Sequence, residues 1–374
     1  MRIALIGARG VAGTYSGIET YYEEVGSRLA ARGHSVTAYC RSHFTPAVPE
    51  YRGIRVRRLP CLRSKHLETL SHSVLSTVDC LARDYDVVQF HAIGSAPLAC
   101  LPRLAGTVTV VSVRGLDWQR SKWGWLARAS LKFGEWASTK APNGTVVVSQ
   151  TLRDHYLETH GREPHLIPNP VPAAERRPLG PLVSRGLTPR GYLLYAGRIS
   201  PEKHVHTLIE AARPLLGRIR LVIAGGGRES DEYVRRVRAL GDPEVIFLGQ
   251  VDRATMRSLL SHAYAFVLPS TLEGLSIGLL EAVAYGNCIV ASDIPENREV
   301  VGDAGIYVPV GDVARLRATL DTLVSCPDRA QQLRQRSLQR AQELPDWDRV
   351  ADLTESYFAT LLSSSQRPQG VPAS

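Results

Sequence analysis

The stretch MRIALIGARGVAGTYSGIETYYEEVGSRLAARGHSVTAYC, Met1 to Cys40, decides the fold. Arg2–Ile6 is a short apolar run and predicts a strand. Gly7, Gly10 and Gly13 follow at GxxGxxG spacing. From Ile18 to Ala31, Ile18, Tyr22, Val25 and Leu29 recur at helical spacing, and Gly33 stands at a C-cap position. Val36–Cys40 predicts a second strand. Strand, glycine loop, helix, strand is the opening of a doubly wound parallel sheet. The glycines allow backbone to approach a ligand, although a tight turn alone would also account for them. A dinucleotide-binding dehydrogenase is disfavoured. It would need GxGxxG and an acid at the end of the second strand, where Tyr39-Cys40-Arg41 stands instead.

The alternation continues outward. Strands are predicted at Ile54–Leu59, Val87–Phe90, Val108–Val113 and Thr145–Ser149. Residues 168–191 are rich in proline, glycine and arginine without periodicity, which predicts a linker or hinge. The pattern then restarts, with strands at Tyr192–Ala196, Arg220–Ala224, Val245–Leu248, Ala265–Leu268, Cys288–Ala291 and Ile306–Val308. The reading is α/β: a first domain over 1–167, a linker over 168–191 and a second domain over 192–346. A last helix is predicted at 347–362, followed by a disordered tail at 363–374. Two such parallel-sheet domains facing a cleft bind ligands at the carboxyl ends of their strands.

The 374 residues fit two domains, and 44% hydrophobic content lets each bury a core. The chain carries 45 Lys+Arg against 36 Asp+Glu, a formal charge of +9. The excess is dispersed, with no basic block interleaved with aromatics, so no nucleic-acid partner is expected. A basic face toward phosphates or an anionic membrane surface stays open, as does a merely arginine-rich composition. The six cysteines form no CxxC pair or zinc spacing, and they read as reduced, buried side chains of a cytoplasmic protein. No membrane-spanning run or signal segment is read.

Four features carry chemistry. In STLEGLSIGLLEAVAYG, Ser270 to Gly286, Glu273 and Glu281 interrupt an apolar run. Glu273 falls in the loop after a strand, Glu281 in a helix predicted from about Ile277 to Tyr285. Carboxylates suit vicinal hydroxyls because they accept two hydrogen bonds, and backbone N–H groups near Leu275 and Ser276 suit an anion. A solvated helix start is the alternative. AGRISPEKH, Ala196 to His204, follows a strand and is predicted to open a helix at Pro201. Arg198 and Lys203 there oppose the helix dipole, so stability did not select them, whereas a diphosphate would. A solvated basic loop is the alternative. His91 ends one strand and Arg114 with Asp117 ends another. A lone histidine at a strand end is more often structural.

Together these residues resemble the retaining glycosyltransferases of family 4, which have the GT-B fold of two Rossmann-like domains. Glu273 and Glu281 match the E-x7-E motif of that family, and Arg198 and Lys203 its G-R-x-x-x-x-K motif. FLGQV, Phe247 to Val251, matches the strand end that receives the base. The opening segment and the stretch from His91 to Gly124 resemble a bacterial subgroup of rhamnosyltransferases and surface-polysaccharide enzymes. The resemblance implies a hexosyltransferase using a UDP-, GDP- or dTDP-sugar, with no cofactor and no metal. Arg198, Lys203 and Glu273 would be catalytic. Glu281, Gly17, Leu275, Ser276 and Val251 would bind the donor, and His91, Arg114, Asp117 and Tyr15 would contact sugar or acceptor. The acceptor would be a glycan, a lipid-linked glycan or a natural product, with peripheral contact at the inner membrane face open. The last helix would pack back on the first domain. The sequence departs from the subgroup at Tyr15-Ser16-Gly17, where two glycines are usual, and at Arg114, where many relatives carry histidine. Arg114 could pair with Asp117 or meet an acidic sugar. A nucleotide-sugar epimerase or hydrolase of the same fold, or a non-catalytic carbohydrate-binding protein, are the alternative functions.

Overall fold

Short Val-, Ile- and Leu-rich runs bounded by glycine or proline become strands buried on both faces, as parallel strands covered by helices must be. The computed structural model describes residues 1–12, 17–64, 67–120, 123–227 and 231–365. Two compact units form. The first is Met1–Asn169 with the chain from Trp347 onward, and the second is Pro170–Asp346.

The first unit runs β1 (Arg2–Ile6), α1 (Gly17–Ala31), β2 (Ser35–Arg41), β3 (Glu50–Tyr51), β4 (Ile54–Leu59), α2 (Glu68–Leu81), β5 (Val87–His91), α3 (Cys100–Leu104), β6 (Val108–Val113), α4 (Trp125–Lys140), β7 (Gly144–Val147), α5 (Gln150–His160) and β8 (His165–Leu166). The sheet order is β3-β4-β2-β1-β5-β6-β7-β8, parallel except for the β3–β4 edge hairpin. Leu5 of β1 lies between Ala38 of β2 and Gln89 of β5, which fixes the register at the centre. From β1 the chain steps one way to β2. From β4 onward it steps the other way. Right-handed crossovers therefore set α2, α3, α4 and α5 on the face opposite α1.

The second unit runs β9 (Tyr192–Ala196), α6 (Val205–Ala212), β10 (Arg220–Ala224), α7 (Glu232–Ala239), β11 (Val245–Gly249), α8 (Arg253–His262), β12 (Ala265–Leu268), α9 (Ile277–Ala284), β13 (Cys288–Ser292), α10 (Pro295–Val301), β14 (Gly305–Val308), α11 (Val313–Ser325) and α12 (Pro327–Glu343). Its parallel sheet has the order β11-β10-β9-β12-β13-β14. The last helix, α13 (Trp347–Ser365), packs on α1. Val350, Ala351 and Phe358 enter the first core, and Arg28 of α1 and Arg32 just beyond it reach Asp348 and Asp352 at 2.8 and 2.6 Å.

Three local expectations change. Strand β7 stops at Val147, because Ser149 is the N-cap of α5 and accepts the Leu152 N–H at 3.2 Å. The proline-rich stretch read as a linker holds a 3₁₀ turn, Gly180–Arg185, and buries Leu179, Leu182 and Leu187 in the second unit. Of the cysteines, Cys40, Cys80 and Cys288 are buried, Cys61 and Cys100 are half-buried and Cys326 is exposed. No helix among the described residues is long and apolar enough to cross a membrane.

Candidate functional site

In each sheet the strand order reverses at one place, and the loops there splay apart to leave a crevice at the strands' carboxyl ends. In the second unit this switch point lies between β9 and β12. The loop after β9 carries Arg198 and Lys203, and the loop after β12 carries Glu273. Residues 70 apart in sequence thus meet: Lys203 Nζ is ion-paired to Glu273 Oε1, with the two side chains only 14% and 8% exposed. The loops are also joined by backbone, since Thr271 N donates to Glu202 O at 2.9 Å.

Local chemistry explains both loops. Pro269 follows β12 and has no N–H to continue the ladder. Ser276 then caps α9, its Oγ accepting the Leu279 N–H at 3.3 Å. Leu275 is buried and Glu281 sits half-buried within α9. After β9, the helix expected at Pro201 is a single 3₁₀ turn, Pro201–Lys203, and α6 begins only at Val205. His204 has φ 48°, which breaks the helical path between them. Arg198 is exposed, and its carbonyl accepts the Tyr195 hydroxyl at 2.7 Å. Val251 lies just beyond β11, half-buried.

The floor is a glycine contact. Gly225 N donates to Gly249 O at 2.7 Å, and Gly197 N donates to Ala224 O at 2.9 Å, so the ends of β9, β10 and β11 close together. A Cβ on Gly225 would lie 1.9 Å from Gly197 O, and its φ is 135°. Three features escaped the sequence reading. Ser200 Oγ and Ser270 Oγ, on the same two loops, are buried without a hydrogen-bond partner. Glu296 opens α10, half-buried. Burial first, and then the charge of Glu273, push its pKa above the ordinary carboxylate value. The signal was present, since Ile294-Pro295-Glu296 after β13 repeats the strand-end Ser200-Pro201-Glu202 pattern.

In the first unit the switch point lies between β1 and β5. Gly17 begins α1, whose buried Glu19 and Glu23 accept the Arg9 and Ala12 N–H groups at 2.9 and 3.0 Å and so hold the glycine loop. Tyr15 lies outside the described residues. His91 ends β5 completely buried between the Tyr21 and Tyr22 rings, with centroids at 5.1 and 4.9 Å. Burial, reinforced by Arg114, drives its pKa well below the usual value, so the ring is neutral. Arg114 does not pair with Asp117. It donates to Asn169 Oδ1 at 2.5 Å and lies over the Tyr21 ring at 4.2 Å, while Asp117 pairs with Arg120 at 3.2 Å. The Arg114 side chain leaves β6 toward the end of the unit where Asn169 stands, and the next turn carries Asp117 toward Arg120.

Among the described residues, two groups bring three ligand-type atoms within 4.8 Å: His43 with Cys61 and Glu68, and Glu135 with His155 and His160. In the second, Glu135 Oε1 lies 2.7 Å from His155 Nε2 and 2.9 Å from His160 Nε2, and Oε2 accepts the Trp118 indole N–H at 2.5 Å. These contacts tie the loop after β6 to α4 and α5. Burial raises the pKa of Glu135, but the hydrogen bonds from His155, His160 and Trp118 outweigh it and leave the value below the ordinary 4.5. A depressed carboxylate pKa adds stability above the unfolded value, and that stability is lost as pH falls through the folded one. Urea unfolding of wild type and Glu135→Gln should therefore differ most above about pH 4.5 and converge as the pH falls through the depressed folded-state value. A gap that widens on acidification would contradict this account of the cluster.

With this geometry in hand, comparisons with known proteins are specific. The Glycosyltransferase Family 4 model matches residues 15–175, and the Glycosyl transferases group 1 model matches residues 186–340. The glycogen synthase of Mycobacterium tuberculosis is 33% identical over 236 residues, which cover 60% of this chain and 56% of that protein. The phosphatidyl-myo-inositol mannosyltransferase of Mycolicibacterium smegmatis is 35% identical over 185 residues, 47% of each. The chain thus spans about half the length of these curated relatives. Sucrose-phosphate synthase from Thermosynechococcus elongatus superposes with a TM-score of 0.80 at 22% identity, over 97% of this chain and 99% of that one. HepE from Anabaena, in complex with UDP-glucose, superposes with a TM-score of 0.76 at 17% identity, over 97% and 100%. Matched in series by the two family models and superposable on these structures over nearly its whole length, the chain belongs to the glycosyltransferases of GT-B fold.

Proposed function

We propose that the protein is a retaining hexosyltransferase. It moves a sugar from a nucleoside-diphosphate donor to an acceptor hydroxyl on a glycan, a lipid-linked glycan or a small natural product. The observation that carries this reading is the Lys203–Glu273 pair at the switch point of the second sheet. A cation and a carboxylate placed side by side suit a ligand that is anionic at one end and rich in hydroxyls at the other. An ammonium has three donors, so Lys203 can keep Glu273 while it takes a phosphate oxygen. Arg198, exposed on the same loop, supplies the second cation.

In this reading the bond from the anomeric carbon to the diphosphate oxygen breaks, and the bond to the acceptor oxygen forms on the same face. The acceptor proton passes to the departing phosphate. Lys203 and Arg198 stabilise the negative charge that develops on the leaving group, an electrostatic contribution that works best when the donors are already in place. Glu273 holds hydroxyls of the hexose, and Glu281 those of the ribose. Backbone at Leu275 and Ser276 assists, and Val251 borders the base. The two carboxylates bind sugar and are not the acid and base of a hydrolase. Since two side-chain cations neutralise the diphosphate, turnover should persist in EDTA.

Product analysis with and without acceptor tests the reading. Incubation with UDP-, GDP- and dTDP-hexoses in EDTA should release nucleoside diphosphate at an appreciable rate only with acceptor. The new linkage should keep the donor's anomeric configuration by NMR. Equal release without acceptor would mean a hydrolase, and an inverted anomer would remove the retaining mechanism.

A further inference from the structure

Helices α2, α3 and α4 lie side by side on one face of the first sheet. α2 packs against α3, and Arg103 of α3 donates to the carbonyls of Lys140, Ala141 and Pro142 at 2.8, 3.3 and 3.1 Å. The inner side of α4 is pressed close to the segment after β5, where a Cβ on Gly134 would lie 2.3 Å from Ile93 O. Its outer side is unusual. Trp125 is 77% exposed and Trp136 49%, with Leu126 and Phe133 also exposed. At 100° per residue Trp125 and Trp136 point within about 20° of each other, and Phe133 and Leu126 extend the stripe on one side. The Phe133 and Trp136 rings stack at 5.7 Å. On α2, Leu70, Val74, Val78 and Leu81 form a second outward stripe, and Leu104 of α3, 84% exposed, stands between the two helices.

Folded monomers seldom leave so continuous an apolar surface uncovered. The charges around it indicate what covers it. Arg128, Lys132 and Lys140 are exposed on the same arc of α4. The acids of these helices face elsewhere: Glu135 is buried, Glu68 contacts Arg41 and His43, and Asp79 is held by Arg57 and Arg83. Among the described residues, none of the outward stripes of α2, α3 and α4 presents a carboxylate. Indole rings with apolar neighbours and a purely cationic border suit the boundary between acyl chains and anionic headgroups. A second copy of the same surface would instead set cation against cation.

We propose that the outward face of α2, α3 and α4 docks on an anionic lipid bilayer, with Trp125 and Trp136 inserted at the headgroup boundary and Arg128, Lys132 and Lys140 against lipid phosphates. The proposal does not rest on the transfer activity, and its test reads no turnover. The full chain is sedimented with vesicles of phosphatidylcholine containing 30% phosphatidylglycerol, and with phosphatidylcholine alone. Wild type should partition to the anionic vesicles and shift its tryptophan emission to the blue. Trp125→Ser with Trp136→Ser should weaken partitioning at least about ten-fold, and Arg128→Glu with Lys132→Glu by a similar factor. Circular dichroism should be unchanged and the thermal midpoint nearly so, because the contacts removed are surface ones, the Phe133–Trp136 stack and the Lys132 ammonium 4.8 Å over the Trp118 ring. Three results would overturn the proposal. Wild type could fail to bind anionic vesicles. The tryptophan variant could bind as wild type does, leaving only the charge of the whole chain. Or wild type could form a concentration-dependent dimer that the tryptophan variant abolishes, which would assign the face to a second copy.

Discussion

Lys203→Ala is expected to cut turnover by about 10²–10³-fold, the usual cost of removing one preorganised donor from developing negative charge. The loss should fall mainly on kcat, because charge on the leaving oxygen grows toward the transition state. Stability will change too, since the substitution leaves Glu273 only 8% exposed and without its cation. Breaking a fully buried pair costs roughly 3–5 kcal/mol. Here the loop stands at the edge of a crevice, where water softens the loss, so about 1–2 kcal/mol is expected. Glu273→Gln separates the two effects. It leaves the cation in place and should keep nucleotide affinity while it weakens hexose binding. Steady-state kinetics and thermal unfolding of both variants check the split. A Lys203→Ala variant that unfolds at ambient temperature would make the pair structural.

Gly225→Ala should be the more damaging change to the fold. The added Cβ would sit 1.9 Å from a backbone oxygen, Gly197 O, which cannot swing aside as a side chain can. The φ of 135° adds strain for any residue with a Cβ. Together these should cost about 3 kcal/mol or more, which lowers the midpoint of a unit this size by roughly 6–12 °C. Differential scanning calorimetry should show the transition of the second unit falling and that of the first unchanged. A shift under 2 °C would mean that the β9 and β10 ends separate easily and that the glycine contact is not a rigid floor.

The fold was legible because its signals are local. The run from Arg2 to Cys40 contains a strand, a helix and a second strand within one stretch, and the bounds of each match the structure to within a residue or two. Where local signals misled, a neighbour decided. Pro201 is a good helix starter, yet the left-handed His204 three residues on delays α6 to Val205. Ser149 extends an apolar run, but its hydroxyl ends the strand by capping α5. Candidate site residues were legible by chemical type alone. A carboxylate in an apolar run marked Glu273 and a cation set against a helix dipole marked Lys203, but their contact depends on the switch between β9 and β12, which no single window contains. The same limit hid Asn169 as the partner of Arg114, 55 residues away. Periodicity finds amphipathic helices but not a second apolar face turned outward, so the stripe on α4 emerged only with the fold.

The central claim is that Lys203 and its loop hold a nucleoside diphosphate. Thermal shifts with UDP, GDP, dTDP and ADP, each against wild type and Lys203→Ala, test it most directly. A ligand that binds only the folded state raises the midpoint in proportion to its affinity. The account predicts a rise with one of the four in wild type and its loss in the variant, which would also fix the donor class. No rise with any nucleotide, or an equal rise in both proteins, would contradict it.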